Sequence, residues 1–387
     1  MLTKITLDNF KSFKNKTVVD LTKTNYTILP QNVADNGVLK GCIFVGANAS
    51  GKSTIILAVK LLLDLLFSER NINSGMFLCM FGDSNKYSLS YEFLIENKTI
   101  RYSFEVDVAK KMISELLHID NELLLQRMGL SAKSYIADSN GINYDEEDVG
   151  KDSLFLRTLY FNTKFASNST LGSWMDYLKK SFYVNMFKGE IVSYGKRDMT
   201  IATYLDNGGC EIINNFFDEY NFEQKVEFVH STSGGKISFV AGEYEDVKTV
   251  FFKRKGIEVP IPFFEESLGN QNLLRILPVF LSAINNGGML LIDEFSSGFH
   301  NELESLLVRY FMEKANHAQM LFVSHSTNLL SNSILRPDQE YSVEFQDKNG
   351  STVRRFSSEQ PRSAQNIEKM YVSGVFGGLP EYSCKTK

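Results

Sequence analysis

Three groups of residues in this 387-residue chain have the types and spacing to do chemistry. The first is Gly46-Ala47-Asn48-Ala49-Ser50-Gly51-Lys52-Ser53, followed by Thr54, which fits G-x-x-x-x-G-K-[ST], the pattern of a phosphate-binding loop. In such a loop, free backbone N–H groups and the positive end of a helix converge on an anion. Gly46 and Gly51 permit backbone angles and a close approach that a Cβ would block. Lys52 is expected to reach the β- and γ-phosphates of a nucleoside triphosphate, and the Ser53 hydroxyl to ligate magnesium. The second group is Asp293-Glu294, two carboxylates directly after the apolar run Gly288-Met289-Leu290-Leu291-Ile292. Asp293 is placed to hold magnesium, directly or through water, and Glu294 to orient or polarise an attacking water, as phosphoryl transfer requires. The third is Ser324-His325-Ser326, after the apolar run Gln319 to Val323. A histidine at a strand end can hydrogen-bond a γ-phosphate or the attacking water.

Other groups have plainer readings beside the chemical one. Ser267 and Gly269, within Glu265-Glu266-Ser267-Leu268-Gly269-Asn270-Gln271, precede a helix expected over Asn272 to Asn285. Together they can make a second anion site from backbone donors and the helix dipole, although serine is also a common helix cap. Pro278 is expected to kink or break that helix. His118, His230 and His317 read as surface or packing residues, and for His300 a capping or interface role fits as well as chemistry. Asp145-Glu146-Glu147-Asp148 reads as a solvated loop rather than a cation site. Lys179, Lys180, Lys188, Lys196 and Arg197 make one region locally basic. Nucleic-acid contact is one reading of it; a solvated face, diluted by Glu190 and Asp198, is the other.

The elements that must carry these groups follow from periodicity. Gly41 to Val45 reads as a buried strand and Thr54 to Phe67 as a helix apolar on nearly every side, so the glycine-rich loop joins a strand end to a helix start. In parallel α/β sheets ligands bind at the C-terminal strand ends, which is where Asp293 and His325 would be delivered. Leu2 to Asp8 and Lys16 to Leu21 alternate as paired strands. Tyr87 to Ile95, Thr99 to Val106 and Lys111 to His118 read as an antiparallel meander, with Glu96-Asn97-Lys98 as its first turn. Asp120 to Ser153 is polar and mixed, and Leu154 to Phe161 is apolar enough to rejoin the core. Leu171 to Phe187, with Trp174, and Cys210 to Tyr220 look helical. Lys225 to Val229, Lys236 to Val240 and Val247 to Phe252 read as strands, with Gly234-Gly235 as a turn.

Composition bounds the class. The chain is 43% hydrophobic and 22% charged, as a globular protein is, and its net charge of -5 gives no general footprint for nucleic acid. Cys42, Cys79, Cys210 and Cys384 share no metal-like spacing and fit a reducing compartment better than a disulfide framework. Met1 to Thr6 lacks the apolar run of a signal peptide, and Ile55 to Phe67 is too short to span a bilayer. A cytoplasmic location and no membrane association are expected.

Phosphate loop, Ser267/Gly269, Asp293-Glu294 and His325, in that order and spacing, resemble the head of an ABC-type ATPase. The opening Leu2-Thr3-Lys4-Ile5-Thr6-Leu7-Asp8-Asn9-Phe10-Lys11-Ser12-Phe13 is similar to the SMC and RecF branch. Three further stretches, Glu266 to Gly269, Leu335-Arg336-Pro337-Asp338-Gln339 and Tyr371-Val372-Ser373-Gly374-Val375-Phe376-Gly377-Gly378-Leu379-Pro380, resemble the bacterial RloA-type ATPases, a group that includes the AriA subunit of the PARIS anti-phage system. The resemblance implies an α/β head with a mixed sheet, flanking helices and an antiparallel β subdomain, interrupted by an inserted helical or mixed lid. It divides the chain into an N-terminal half-head at 1–115, the insertion at 116–235, and a C-terminal half-head with signature and tail at 236–387. Gly46, Asn48, Ser50, Gly51, Lys52, Ser53 and Thr54 of one subunit would hold ATP, and Ser267 and Gly269 of a second copy would cover the γ-phosphate. Lys11 would add a phosphate contact, Ser53 and Asp293 would hold magnesium, and Glu294, His325 and Lys52 would carry hydrolysis. Asn270-Gln271 stands where transporters have Gly-Gln, and neither Gln126 nor Gln224 sits convincingly as the Q-loop glutamine.

The implied assembly is a homodimer closed on ATP, or a larger homo-oligomer, acting on a separate effector such as a toprim-like nuclease and answering a phage-encoded trigger. The expected function is thus a regulatory or sensory ATPase of an abortive-infection system. The rival is a RecF-like, DNA-binding repair ATPase. A phosphate-loop kinase is disfavoured by the signature and His325, and a head that binds nucleotide without turnover is disfavoured by Glu294.

Overall fold

The computed structural model describes residues 1–68, 70–136, 144–195, 199–230 and 248–379. Lys196, Arg197, Asp198, Gly234-Gly235, the strand expected over Lys236 to Val240, Pro380 and Cys384 lie outside the described residues. Alternation pairs β1 (Leu2–Asp8) with β2 (Thr17–Asp20), Ile5 opposite Val19. β3 (Gly41–Val45) leads through the phosphate loop into α1 (Lys52–Phe67). β4 (Lys86–Ile95), β5 (Lys98–Asp107) and β6 (Met112–Ile119) form the expected meander, and Glu96 and Asn97, at φ 51 and 61, make its first turn the tight hairpin type.

The meander runs further than its alternation does. β7 (Glu122–Met128), β8 (Ser131–Ser134) and β9 (Asp145–Glu146) extend it to an eight-stranded sheet in the order β2-β1-β4-β5-β6-β7-β8-β9. Residues 116–134, which the sequence assigns to the insertion, therefore continue the first sheet. Arg127 hides this in the sequence, because it is a charged residue facing inward, 1% exposed. Its guanidinium donates to Glu115 at 3.0 Å and to the carbonyls of Gly129, Gly150 and Ser153. Glu115 also accepts from Phe155 N and Leu156 N, capping α2 (Phe155–Thr163), and from the Tyr102 hydroxyl. Removing either charge alone would strand the other at about 3–5 kcal/mol. Asp145, in the acidic run, lies in β9 rather than a loop and pairs with Lys133 at 2.9 Å in an exposed position.

The helix expected over Leu171 to Phe187 is two elements, α3 (Ser169–Lys179) and β10 (Phe182–Asn185). Phe182-Tyr183-Val184 is aromatic and β-branched, and it pairs in parallel with a strand from the far half of the chain, a partner no local pattern reveals. After β11 (Glu190–Ser193) come α4 (Ile201–Tyr204), α5 (Cys210–Glu219), β12 (Gln224–His230), β13 (Lys248–Arg254) and β14 (Ile261–Pro262). α6 (Leu268–Asn286) starts four residues before the expected Asn272 and continues through Pro278, where the ring forgoes one backbone bond without ending the helix. The chain closes with β15 (Gly288–Asp293), α7 (Asn301–Lys314), β16 (Ala318–Val323), β17 (Glu340–Phe345), β18 (Ser351–Arg355) and α8 (Ile367–Val372).

These elements form two compact units. The first comprises 1–195, 283–296 and 301–387; the second comprises 196–282 and 297–300. In the first unit a seven-stranded sheet runs β11-β10-β15-β16-β3-β17-β18, its five inner strands parallel and its edges antiparallel. α1 lies against β15 and β16 on one side and receives the Tyr91 hydroxyl of β4 on its Ala58 carbonyl, so it is buried between the two sheets. Its polar exceptions are reconciled locally: Asp64 takes Lys60 at 2.9 Å, the Tyr194 hydroxyl at 2.7 Å, and Arg70. The second unit holds the three-stranded sheet β12-β13-β14, α4 and α5. Among the described residues no helix is long and apolar enough to cross a membrane.

Leu335 to Gln339 is a buried polar tie. Arg336 grips Asp338 with two bonds of 2.8 Å, and Asp338 accepts from Thr24 N and Oγ1 at 2.7 and 2.8 Å. Gln339 accepts from Asn32 and donates to the Gly41 carbonyl at the start of β3. Burial acts to raise the Asp338 carboxyl, but Arg336 and Thr24 outweigh it and hold it below the usual carboxylate range. The next acid, Glu340, is fully buried, and neither of its oxygens has a partner among the described residues. Burial, reinforced by Asp338, pushes its pKa well above the usual range. The unfolded chain releases that proton at ordinary acidity while the folded chain keeps it, so Glu340 lowers stability as pH rises above the ordinary carboxylate range. Glu340→Gln should therefore gain melting temperature relative to the parent as pH is raised from about 5 to 8. A difference between the two proteins that is constant with pH would show Glu340 ionised in the fold.

Candidate functional site

β3 is apolar throughout and buried between β16 and β17, which fixes the point where the phosphate loop begins. The loop requires glycine at both ends. A Cβ on Gly46, at φ 151, would stand 2.2 Å from the Val343 carbonyl oxygen, and one on Gly51, at φ 103, would stand 2.4 Å from Ser351 Oγ. Gly51 is also the residue from which α1 departs, so the amides of the first turn open toward the loop. Lys52 Nζ curls over that loop, donating to the carbonyls of Gly46 at 3.0 Å and Ala47 at 2.8 Å. Burial lowers its pKa, with Glu294 and Asp293 pulling it back up. Ser53 Oγ donates to Asp293 Oδ1 at 2.7 Å.

The parallel register brings the other groups to the same edge. Leu291 of β15 lies opposite Leu321 of β16, and Phe322 lies opposite Ile43 of β3, so three strand ends stand side by side with β16 in the middle. Burial raises the Asp293 pKa above the usual range; the Ser53 bond opposes this and the Glu294 charge adds to it. Glu294 follows in left-handed backbone, φ 58, a conformation of order 1–3 kcal/mol above the ordinary ones for a side-chain-bearing residue. Its Oε2 lies 3.5 Å from His325 Nε2, and the His325 backbone N–H donates to Ser296 Oγ at 3.3 Å. The result is one cleft of about 790 Å³, lined by Ser12, the loop from Asn48 to Thr54, Phe187, Glu294 and His325.

Of the candidates from the sequence, the structure thus gathers Asn48, Ser50, Gly51, Lys52, Ser53, Thr54, Asp293, Glu294 and His325, with Gly46 at the loop's root. Lys11 does not line the cleft. It sits 5.9 Å from the Phe77 ring, with burial and the nearby Arg70 lowering its pKa. Its neighbour Ser12 lines the cleft instead, 3.2 Å from Thr54 Oγ1. Ser267 and Gly269 belong to the second unit, where Ser267 is exposed and accepts from Asn270 N at 3.3 Å, a capping bond. Glu266 braces the turn by accepting from Ser267 N, Asn270 Nδ2 and Arg254. Gln224 exchanges two 3.0 Å bonds with Asn270, and Gln126 lies on β7 of the other sheet.

A carboxamide does reach the acidic pair, from Asn185. It ends β10 opposite Asp293 and donates to Asp293 Oδ2 at 3.3 Å. An isolated asparagine after a short apolar run is no motif; the signal it shares with Asp293 is only a polar residue ending a buried strand. Two residues on, Phe187 is 80% exposed at the rim of the cleft. The assembly fits a magnesium–nucleoside triphosphate. Its backbone admits close approach only because Gly46 and Gly51 lack a Cβ, and its hydroxyl and carboxylate oxygens are the hard donors magnesium takes, with the Asn185 amide nitrogen holding the Asp293 carboxylate. Asn185→Ala should weaken magnesium-dependent nucleotide binding about tenfold, as loss of an orienting partner does, and leave binding in EDTA unchanged. Equal titrations with a fluorescent nucleotide in magnesium would remove Asn185 from the site.

Comparison with known proteins bears on the fold and the family. Among solved structures, the chain is similar to the Smc head bound to the C-winged helix domain of ScpA, with TM-score 0.50 and 13% identity over 91% of this chain and 97% of that one. The SMC head domain from Thermotoga maritima matches with TM-score 0.47 and 14% identity, over 91% and 97%. The comparison with curated proteins gives no match. The fold is therefore that of an ABC-type P-loop ATPase head. A family profile described as "AAA domain, putative AbiEii toxin, Type IV TA system" matches residues 43–331, from the loop strand past His325. With that match spanning most of its length, the chain belongs to this AAA-domain family, on a fold it shares with SMC heads.

Proposed function

We propose that the cleft binds and hydrolyses ATP, and that this ATPase holds or releases a separate toxic effector in a bacterial anti-phage, abortive-infection system. The observation that carries the enzymatic part is the Ser53–Asp293 contact beside the Glu294–His325 pair in one cleft. Magnesium bound there supplies positive charge to the phosphate oxygens. Lys52 leaves its two loop carbonyls to neutralise the β- and γ-phosphates, and Ser53 and Asp293 hold the metal, with Asn185 orienting Asp293. Glu294 orients the attacking water, and His325 donates toward the γ-phosphate. The cleft is lined by the first unit alone and is open, while the exposed Ser267 is carried by the second unit. This supports a homodimer in which Ser267 and Gly269 of one copy cover the γ-phosphate of the other, ATP stabilising the closed state by binding it preferentially.

The defence role rests on the resemblance to RloA and AriA in Glu266 to Gly269, Leu335 to Gln339 and Tyr371 to Pro380, and on a family whose description names an AbiEii toxin. A second reading, a DNA-binding repair ATPase, is favoured by one surface. Arg157 and Lys164 stand 4.8 and 4.4 Å from the exposed ring of Phe161, a mixture of cations and an aromatic suited to nucleic acid.

Lys52→Ala should abolish binding of a fluorescent ATP analogue, and parental affinity would remove the cradle assignment. Glu294→Gln should accumulate an ATP-dependent dimer in size-exclusion chromatography, whereas normal phosphate release would exclude Glu294 as the water-orienting carboxylate. Tight DNA binding that weakens steeply with salt would favour the repair reading over the effector one.

A further inference from the structure

Tyr371 to Leu379 is a motif that neither the cleft nor its chemistry has used. In the fold it returns to the nucleotide site from behind. Asn366 caps α8, and in the first turn of that helix Glu368 Oε1 accepts from Thr327 Oγ1 at 2.6 Å. Thr327 is two residues beyond His325. Downstream of α8 the Gly378 carbonyl accepts from Ala47 N, in the phosphate loop, at 2.8 Å, and from the Tyr371 hydroxyl at 3.3 Å. The intervening chain is fixed to the sheet. Ser342 Oγ donates to the Phe376 carbonyl at 2.6 Å, Arg354 to that of Val375 at 3.1 Å, and the Phe376 ring stacks on Phe356 with centroids 3.9 Å apart. Gly378, at φ 76, lies so close to β17 that a Cβ would meet Ser342 Cβ at 3.1 Å and the Val343 carbonyl oxygen at 3.2 Å. Between this segment and the two loops lies a second cavity of about 370 Å³, walled by Gly46, Ala47, His325, Thr327, Tyr371 and Leu379.

A phosphate loop binds well only if its amides already face the anion, and a histidine acts on a γ-phosphate only if its distance from that loop is fixed. Ala47 N–H is committed to the Gly378 carbonyl, which pins the loop at the residue before Asn48. Thr327 anchors the segment that carries His325 to the same C-terminal stretch. We propose that Glu368 to Leu379 is a latch that positions the phosphate loop and the histidine loop against each other: Gly378 acts through Ala47, and Glu368 acts through Thr327. Both are positioning residues, and the inference rests on the ATP reading of the cleft given above. The two ends of the latch act on different steps. The Gly378 end governs how well nucleotide binds, and the Glu368 end governs how fast it turns over.

The test uses the full-length protein with nucleotide affinity, turnover and melting temperature read in parallel. Thr327→Val and Glu368→Ala should lower kcat about tenfold, the effect of one lost hydrogen bond, with nucleotide Kd within about twofold of the parent. Thr327→Ser and Glu368→Gln keep the bond and should restore kcat. Gly378→Val should raise nucleotide Kd about tenfold, on the same basis. If that variant fails to fold, Ser342→Ala, which deletes one oxygen bonded to Phe376, should shift Kd in the same direction at near-parental melting temperature. Parental Kd and kcat in all the variants, with Lys52→Ala still losing nucleotide, would overturn the latch alone. Loss of kcat in Thr327→Val without rescue by Thr327→Ser would also overturn it, as a packing effect. A parent protein that binds no nucleotide would overturn the ATP reading and the latch with it.

Discussion

Ser53 and Asp293 are 240 positions apart in the chain and 2.7 Å apart in the fold. Everything chemical about the cleft depends on the parallel register that brings them together. β16 separates β15 from β3, so the acidic pair, the histidine segment and the phosphate loop leave the sheet from three adjacent strand ends. A slip of one residue in that pairing would turn Asp293 to the opposite face of the sheet and carry it away from Ser53. The inner strands resist such a slip because β15 and β16 are buried along their whole length and β3 is apolar on both faces.

The charges inside the first unit divide by how completely they are matched. Glu115 with Arg127, and Asp338 with Arg336, satisfy nearly every donor and acceptor, and each ties segments that lie far apart in the chain. Such pairs are worth little against an apolar replacement and a great deal against losing one partner, so they specify which segments meet. Around the cleft the matching is deliberately incomplete. Lys52 rests on carbonyl oxygens, and Asp293 and Glu294 face one another's charge, so both signs gain when an anion and a cation enter together.

The candidate site was legible in the sequence because the pattern that marks it is local. Glycines, a lysine and a serine at fixed spacing, and acids or a histidine ending apolar runs, all declare themselves within a few residues. What was illegible depended on distant partners. Phe182 to Asn185 could extend the preceding helix as readily as form a strand until Leu290 to Asp293 lay beside it, and Asn185 had no meaning apart from Asp293. Arg127 reads as a surface residue because nothing nearby announces Glu115. Leu335 to Gln339 was visible as a motif, but its role as a buried tie to Thr24, Asn32 and Gly41 needed the tertiary structure.

β3 has one more consequence, which concerns time. Both of its neighbours, β16 and β17, are translated long after it, whereas the sheet from β1 to β9 pairs mainly with its own near sequence. Contacts between near neighbours in sequence form fast, and those across long loops form late. On the ribosome the antiparallel sheet can close first, while Gly41 to Val45 waits with both edges unpaired until Ala318 to Val323 emerges, and with one edge open until Glu340 to Phe345 follows. The phosphate loop is thus synthesised well before the strands that give it its shape. Shortened chains ending before β17 are left with an apolar strand edge open to misassembly.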